Sequence, residues 1–182
     1  IEGSTIITGL DIFATVGGYR PYIRYFAVAV TDGRLDVDFP AVYPPPKISA
    51  ILVRTHVEGP ATPTATATNT RTTTTTRTLT PTGTRPPGGY ATATPPAVYD
   101  VRVDAGGPDY RDSEGFLWLA DRAHAPGSWG YVGGNAFATT HDVANTPDQR
   151  LYQTERWGMS EYRFDAPNGN YRVELRFAEI YS

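Results

Sequence analysis

Few residues in this chain could carry out chemistry, and their spacing narrows what that chemistry could be. The histidines, His56, His124 and His141, show no i, i+4 spacing and have no thiol neighbours, because cysteine is absent. That speaks against zinc and removes disulfide frameworks and thiol nucleophiles. Asp104, Asp109 and Asp112 bring together the oxygen donors that calcium takes. No Asp-x-Asp-x-Asp-Gly loop accompanies them, so turn capping is the plainer role. Glu155 and Arg156 can be read as an acid beside an electrophile; ion pairing or hydrogen bonding to backbone turns is the simpler expectation. A glycosidase needs two opposed carboxylates, and sequence alone neither supplies nor denies such a pair. No nucleophile elbow, phosphate loop or dinucleotide fingerprint occurs. No catalytic residue, metal or cofactor is assigned.

Composition narrows the class further. Of the 182 residues, 40% are hydrophobic and 12% aromatic, enough to build a core. The formal net charge of −3 gives no global attraction to nucleic acid or an anionic membrane. Residues 59–98 carry Arg71, Arg77 and Arg85 and no acid, so the remainder is more acidic than the total. Lys47 is the only lysine. No apolar run approaches the ~18 residues of a membrane span, so no membrane insertion is expected. Without an initiator Met or a signal peptide, the chain reads as a piece of a longer or processed polypeptide. The lack of cysteine is compatible with secretion, since a large sandwich core can be stable without staples.

Three segments separate along the chain. In the first, residues 1–58, Tyr22 to Val30 alternates with Phe26, Val28 and Val30 on one face. Thr31-Asp32-Gly33 carries the Asp-Gly pair that favours a hairpin. Leu35, Val37 and Phe39 then alternate with Asp36 and Asp38, and Ile48 to Val53 is an apolar run suited to a buried strand. In the third segment, residues 99–182, Tyr99 to Asp104 alternates, as do Tyr171, Val173, Leu175 and Phe177 with Arg172, Glu174 and Arg176. No long amphipathic helix is written anywhere. The expected fold is all-β, a jelly-roll-like antiparallel sandwich.

Between them, residues 59–98 are low in complexity, with 16 threonines between positions 61 and 94 spaced by Pro, Ala and Gly. Almost no apolar side chain is present to repay the entropy of folding. Threonine with proline is the composition of O-glycosylated extended stalks. The candidates for O-linked sugar are Thr72, Thr73, Thr74, Thr75, Thr76, Thr78, Thr80 and Thr82; a bare flexible linker is the alternative. No Asn-x-Ser/Thr sequon occurs.

Two strings in the third segment are more specific: Val103-Asp-Ala-Gly-Gly-Pro108, and Leu151-Tyr-Gln-Thr-Glu-Arg-Trp157 followed by Phe177-Ala-Glu-Ile-Tyr181. In this order they resemble the amino-terminal half of the malectin and malectin-like carbohydrate-binding domains. The first segment, with Leu10-Asp-Ile-Phe13, Val16-Gly-Gly18, Val30-Thr-Asp-Gly33 and Pro46-Lys-Ile-Ser-Ala-Ile51, resembles the carboxy-terminal half of that family. The halves therefore stand in reversed order around the threonine-proline stretch.

The resemblance implies a non-catalytic sandwich that binds sugars through aromatics on its loops. Flat rings stack on the C–H faces of sugars while nearby polar groups take the hydroxyls. It places those aromatics at Trp129, Trp157 and Tyr181, with Tyr131 and Tyr152 expected in the core. Ser182 stands where the family has a second aromatic, and Pro44 stands where it has an acidic ligand. These departures count against a diglucoside specificity like that of animal malectin. Two functions follow as expectations. One is an extracellular or cell-surface structural protein, a subunit or repeat of a glycosylated fibre in which half-domains complete each other head-to-tail across copies. An extended linker, rising about 3.1 Å per residue, would reach on the order of 100 Å to a neighbour. The other is a carbohydrate-binding module of a secreted modular glycosidase or adhesin.

Overall fold

Period-two alternation becomes sheet wherever the sequence shows it. In the computed structural model, residues 1–41, 43–56 and 98–181 are described. The threonine-rich stretch with its glycosylation candidates lies outside them. The first segment forms a short helix α1 (Ile12–Val16) and strands β1 (Tyr22–Val30), β2 (Arg34–Asp38), β3 (Lys47–Ile48) and β4 (Ala50–Thr55). The third forms β5 (Asp100–Asp104), β6 (Tyr110–Arg111), β7 (Leu117–Ala120), β8 (Trp129–Ala138), β9 (Thr154–Asp165) and β10 (Gly169–Phe177). A 3-10 turn at Gln149–Tyr152 precedes β9.

Two sheets result, an all-β sandwich. One has the order β1-β10-β4-β5-β7-β6; every pairing in it is antiparallel except β5 with β7. The second is centred on the long strand β9, which pairs along one edge with β8 and along the other with β2 and β3 in succession. Every pairing of a first-segment strand is with a third-segment strand: β1 and β4 with β10, β4 with β5, and β2 and β3 with β9. Residues 1–57 and 98–182 accordingly form one compact unit. Within this single chain the strands of the two segments share both sheets.

The Asp32-Gly33 turn differs from expectation. It does not close a hairpin, because β1 and β2 belong to different sheets. The Pro167–Gly169 turn likewise carries the chain from β9 to β10 across the sandwich. Since β1 pairs β10 and β2 pairs β9, the two turns lie side by side where a two-stranded ribbon folds over the core edge. The Asn168 side chain clips them together, accepting from Gly33 N at 2.7 Å and donating to Thr31 O at 2.9 Å. Both strands of each turn carry an apolar face, and crossing between sheets lets both faces bury against one core.

That core takes Leu35, Val37 and Ile48 from the first segment and Val103, Met159, Tyr162, Phe164 and Val173 from the third. Strand β4 is buried on both faces, which explains its unbroken apolar run. Ile51 and Val53 face the main core, while Ala50 and Leu52 join a second cluster with Trp118, Leu151, Tyr152 and Ile180. Each fully buried aliphatic of this kind contributes about 1.5–3 kcal/mol.

Candidate functional site

Strand β9 brings the chemistry-bearing residues together. Trp157 is the Cα partner of Asn135 on β8 and of Lys47 on β3, and so stands in the middle of three strands. Its side chain remains 39% exposed. Two residues earlier, on the same face, Glu155 pairs with Phe137 of β8. Tyr181, just beyond β10, is 74% exposed and sets its ring edge-on to Phe137, with centroids 5.4 Å apart. Tyr181 thus packs on the cross-strand partner of Glu155, and Trp157 stands two residues further along β9; these two exposed rings are the aromatic ledge.

Beneath the ledge lies a charged cluster. Lys47 Nζ donates to Glu179 Oε1 at 2.5 Å and lies 3.9 Å from Glu155 Oε2. The second distance is an ion-pair contact without a hydrogen bond, and Glu155 Oε2 is buried with no hydrogen-bond partner. Glu155 is only 4% exposed. Burial pushes its carboxyl up to about 7, opposed by Lys47 and reinforced by Glu179. Glu179 also accepts from Tyr181 N at 3.2 Å, which ties the aromatic to the cluster. A lysine ammonium and two carboxylates offer the donors and acceptors that hydroxyl groups require.

Two glycines let backbones approach closely enough to hold this arrangement. Gly106, in the Ala-Gly-Gly turn at φ +73°, lies where a Cβ would come within 2.3 Å of Glu155 O. Gly134, at φ +78°, lies beside the register shift that leaves Ser160 of β9 unpaired and presses on β9, where a Cβ would sit 2.7 Å from Trp157 O. Only a residue without a side chain fits either place.

Of the three aromatics expected to bind sugar, Trp157 and Tyr181 come together and Trp129 does not. Trp129 is the Cα partner of Phe164 and stacks on it at 6.5 Å in the core, only 7% exposed, with the Arg122 guanidinium 4.3 Å from its ring. It offers no face to a ligand. Tyr152 is fully buried, and Tyr131 packs partly buried against the main core. Pro44 and the fully exposed Tyr43 lie on the loop leading into β3.

The other candidate groups have structural partners. Asp109 accepts from Ala120 N; Asp112 accepts from Glu114 N, Phe116 N and the Trp118 indole. These are turn caps. Asp104 is buried and accepts from the Thr154 hydroxyl at 2.7 Å. Burial pushes its carboxyl up to about 7; the Thr154 bond and Arg150 oppose that shift and Asp121 adds to it. Glu155 and Arg156 do not pair with each other, since adjacent strand residues point to opposite faces. Arg156 instead holds Asp121 through two hydrogen bonds of 2.5 and 3.1 Å. Among the described residues, no group of three or more His, Asp or Glu could hold a metal ion, and no helix is long and apolar enough to cross a membrane.

Lys47, Glu179 and Phe137 were missed as site residues. The signal for Lys47 was its being the sole lysine, and that for Glu179 its place between Phe177 and Tyr181. Phe137 gave no signal.

Fold and ledge together define a β-sandwich with a shallow aromatic platform over a lysine–carboxylate cluster. Residues 99–182 match the model of the malectin domain. No curated protein and no solved structure matches the chain.

Proposed function

We propose that the chain is a non-catalytic carbohydrate-binding module, with its ligand lying along Trp157 and Tyr181 and its hydroxyls meeting Lys47, Glu155 and Glu179. The observation that carries this reading is a partly exposed indole cross-strand from Lys47, whose ammonium joins the partly exposed Glu179 to a buried Glu155 that has an unpartnered carboxylate oxygen. A sugar ring supplies both an apolar face for the indole and hydroxyl donors for the carboxylate. On the same reading, residues 1–58 are the carboxy-terminal half of the malectin-like domain and residues 99–182 its amino-terminal half. A site built from Lys47 of one segment and Trp157 of the other supports that assignment. A glycan array probed with the intact protein and with Trp157→Ala tests the function. Neutral oligosaccharides captured by the first and lost by the second are expected; no capture by the intact protein, or equal capture by both, would overturn it.

The protein would work outside the cell or at its surface, with the threonines from Thr72 to Thr82 carrying O-linked sugar. Mass spectrometry of the native segment should find added hexose masses there. Finding only the bare peptide mass would refute the glycosylation.

A second reading is a fibre subunit. It draws on the finding that first-segment strands pair only with third-segment strands, so a neighbouring copy could supply the same edges by exchange. Sedimentation of the native protein separates the two states: a stable species near the single-chain mass of 19.8 kDa excludes exchange, and a series of larger species supports it.

A further inference from the structure

The outward side of the six-stranded sheet carries a second set of residues that the aromatic ledge does not use. Strand register lays them out as rows. One row runs Ala27, Arg172, Arg54, Asp100 across β1, β10, β4 and β5, and the next runs Tyr25, Glu174, Leu52, Arg102. Arg54 and Arg172 are thus direct cross-strand partners. Like charges directly opposite each other destabilise a sheet. The sheet's neighbouring arginines are neutralised locally, Arg102 by Asp100 at 2.8 Å and Arg176 by Glu174 at 2.5 Å. Asp100 faces Arg54 across the strands, but its carboxylate is engaged by Arg102. Among the described residues, neither Arg54 nor Arg172 forms an ion pair with any carboxylate. Both are partly exposed, and the small side chain of Ala27 leaves the space beside Arg172 open. The Arg172 guanidinium lies 4.3 Å from the ring of Tyr25, which is 52% exposed.

We propose that this face is a second carbohydrate surface, separate from the ledge, that binds an acidic polysaccharide, with a uronate carboxylate held between Arg54 and Arg172 and its sugar ring against Tyr25. Charge complementarity carries the assignment: two arginines at directly opposed register positions, neither of them in an ion pair, match the planar carboxylate. The adjacent aromatic requires that the carboxylate be borne on a ring able to stack. A uronic acid joins both features in one residue, whereas a free phosphate or a peptide carboxylate uses only the first.

Calorimetric titration of the intact protein with an oligomer of glucuronic acid, and with the matching neutral glucose oligomer, tests this. The acidic oligomer should bind at low salt and weaken as salt rises. The double variant R54Q/R172Q should lose at least about tenfold in that affinity, while R34Q/R163Q, which removes the same charge from the other sheet, should lose little. Trp157→Ala should bind the acidic oligomer as the intact protein does, which separates this surface from the ledge. Because the facing arginines repel, the thermal midpoint of R54Q/R172Q should equal or exceed that of the intact protein. Three results would each overturn the proposal: no binding of the acidic oligomer at low salt; full binding by R54Q/R172Q, which would locate the interaction on other arginines such as Arg71, Arg77 and Arg85; or preference for a sulfated oligomer over the uronate.

Discussion

At the scale of single residues, the same residue types play opposite parts depending on which face of a strand they occupy. Trp129 and Trp157 lie on adjacent antiparallel strands, yet one stacks on Phe164 in the core and the other stands half exposed over Lys47. Replacing Trp129 by alanine should cost about 3–5 kcal/mol of stability, measured by urea unfolding. Trp157→Ala, which removes a side chain 39% exposed, should cost less than the Trp129 change by the same measure. The two buried carboxyls give a pH signature. Asp104 and Glu155 both titrate near 7 in the fold, above their ordinary values, because burial disfavours their charged forms. The folded chain therefore holds protons that the unfolded chain releases above the usual carboxylate range. Stability should fall as pH rises from about 4.5 to 7 and level off beyond. Thermal melts across pH 5 to 8 should show that decline, and D104N and E155Q should each flatten it. A midpoint that rises through this window would contradict the assignment.

At the scale of elements, the crossing turns and the close glycine contact hold the architecture. Asn168→Ala removes both hydrogen bonds that join the Asp32-Gly33 turn to the Pro167–Gly169 turn. A loss of about 1–2 kcal/mol is expected in urea unfolding. Gly106→Ala places a methyl group 2.3 Å from Glu155 O on a left-handed backbone and should cost about 2–3 kcal/mol by the same measure. The strands themselves were legible in the sequence. Alternation in β1, β2, β5 and β10 is a local property, set by which side chains must face the core. Their partners were not legible, because pairing is decided across the chain: an Asp-Gly turn looks the same whether it closes a hairpin or crosses between sheets. The candidate site was legible only in part. Trp157 and Tyr181 sit in distinctive strings, whereas nothing local separates the inward Trp129 from the outward Trp157. Lys47 is far from Trp157 in sequence and meets it only through the β3–β9 pairing.

At the scale of the whole molecule, the interleaving of residues 1–56 with residues 98–181 makes the ledge a joint product of both segments. Lys47 comes from the first, and Trp157, Glu155 and Glu179 from the third. On the proposed reading Trp157 is the indole that meets sugar, while the fold buries Trp118 and Trp129. The chain has three tryptophans, so its indole N–H signals can be resolved and assigned by NMR. Trp118 is buried with its indole donating to Asp112 at 2.9 Å, and Trp129 lies in the core. Titration with the neutral oligosaccharide that binds best on a glycan array should move the Trp157 indole signal in a saturable manner and leave the signals of Trp118 and Trp129 in place. Saturable binding that shifts Trp129 or Trp118 and leaves Trp157 unmoved would contradict the account.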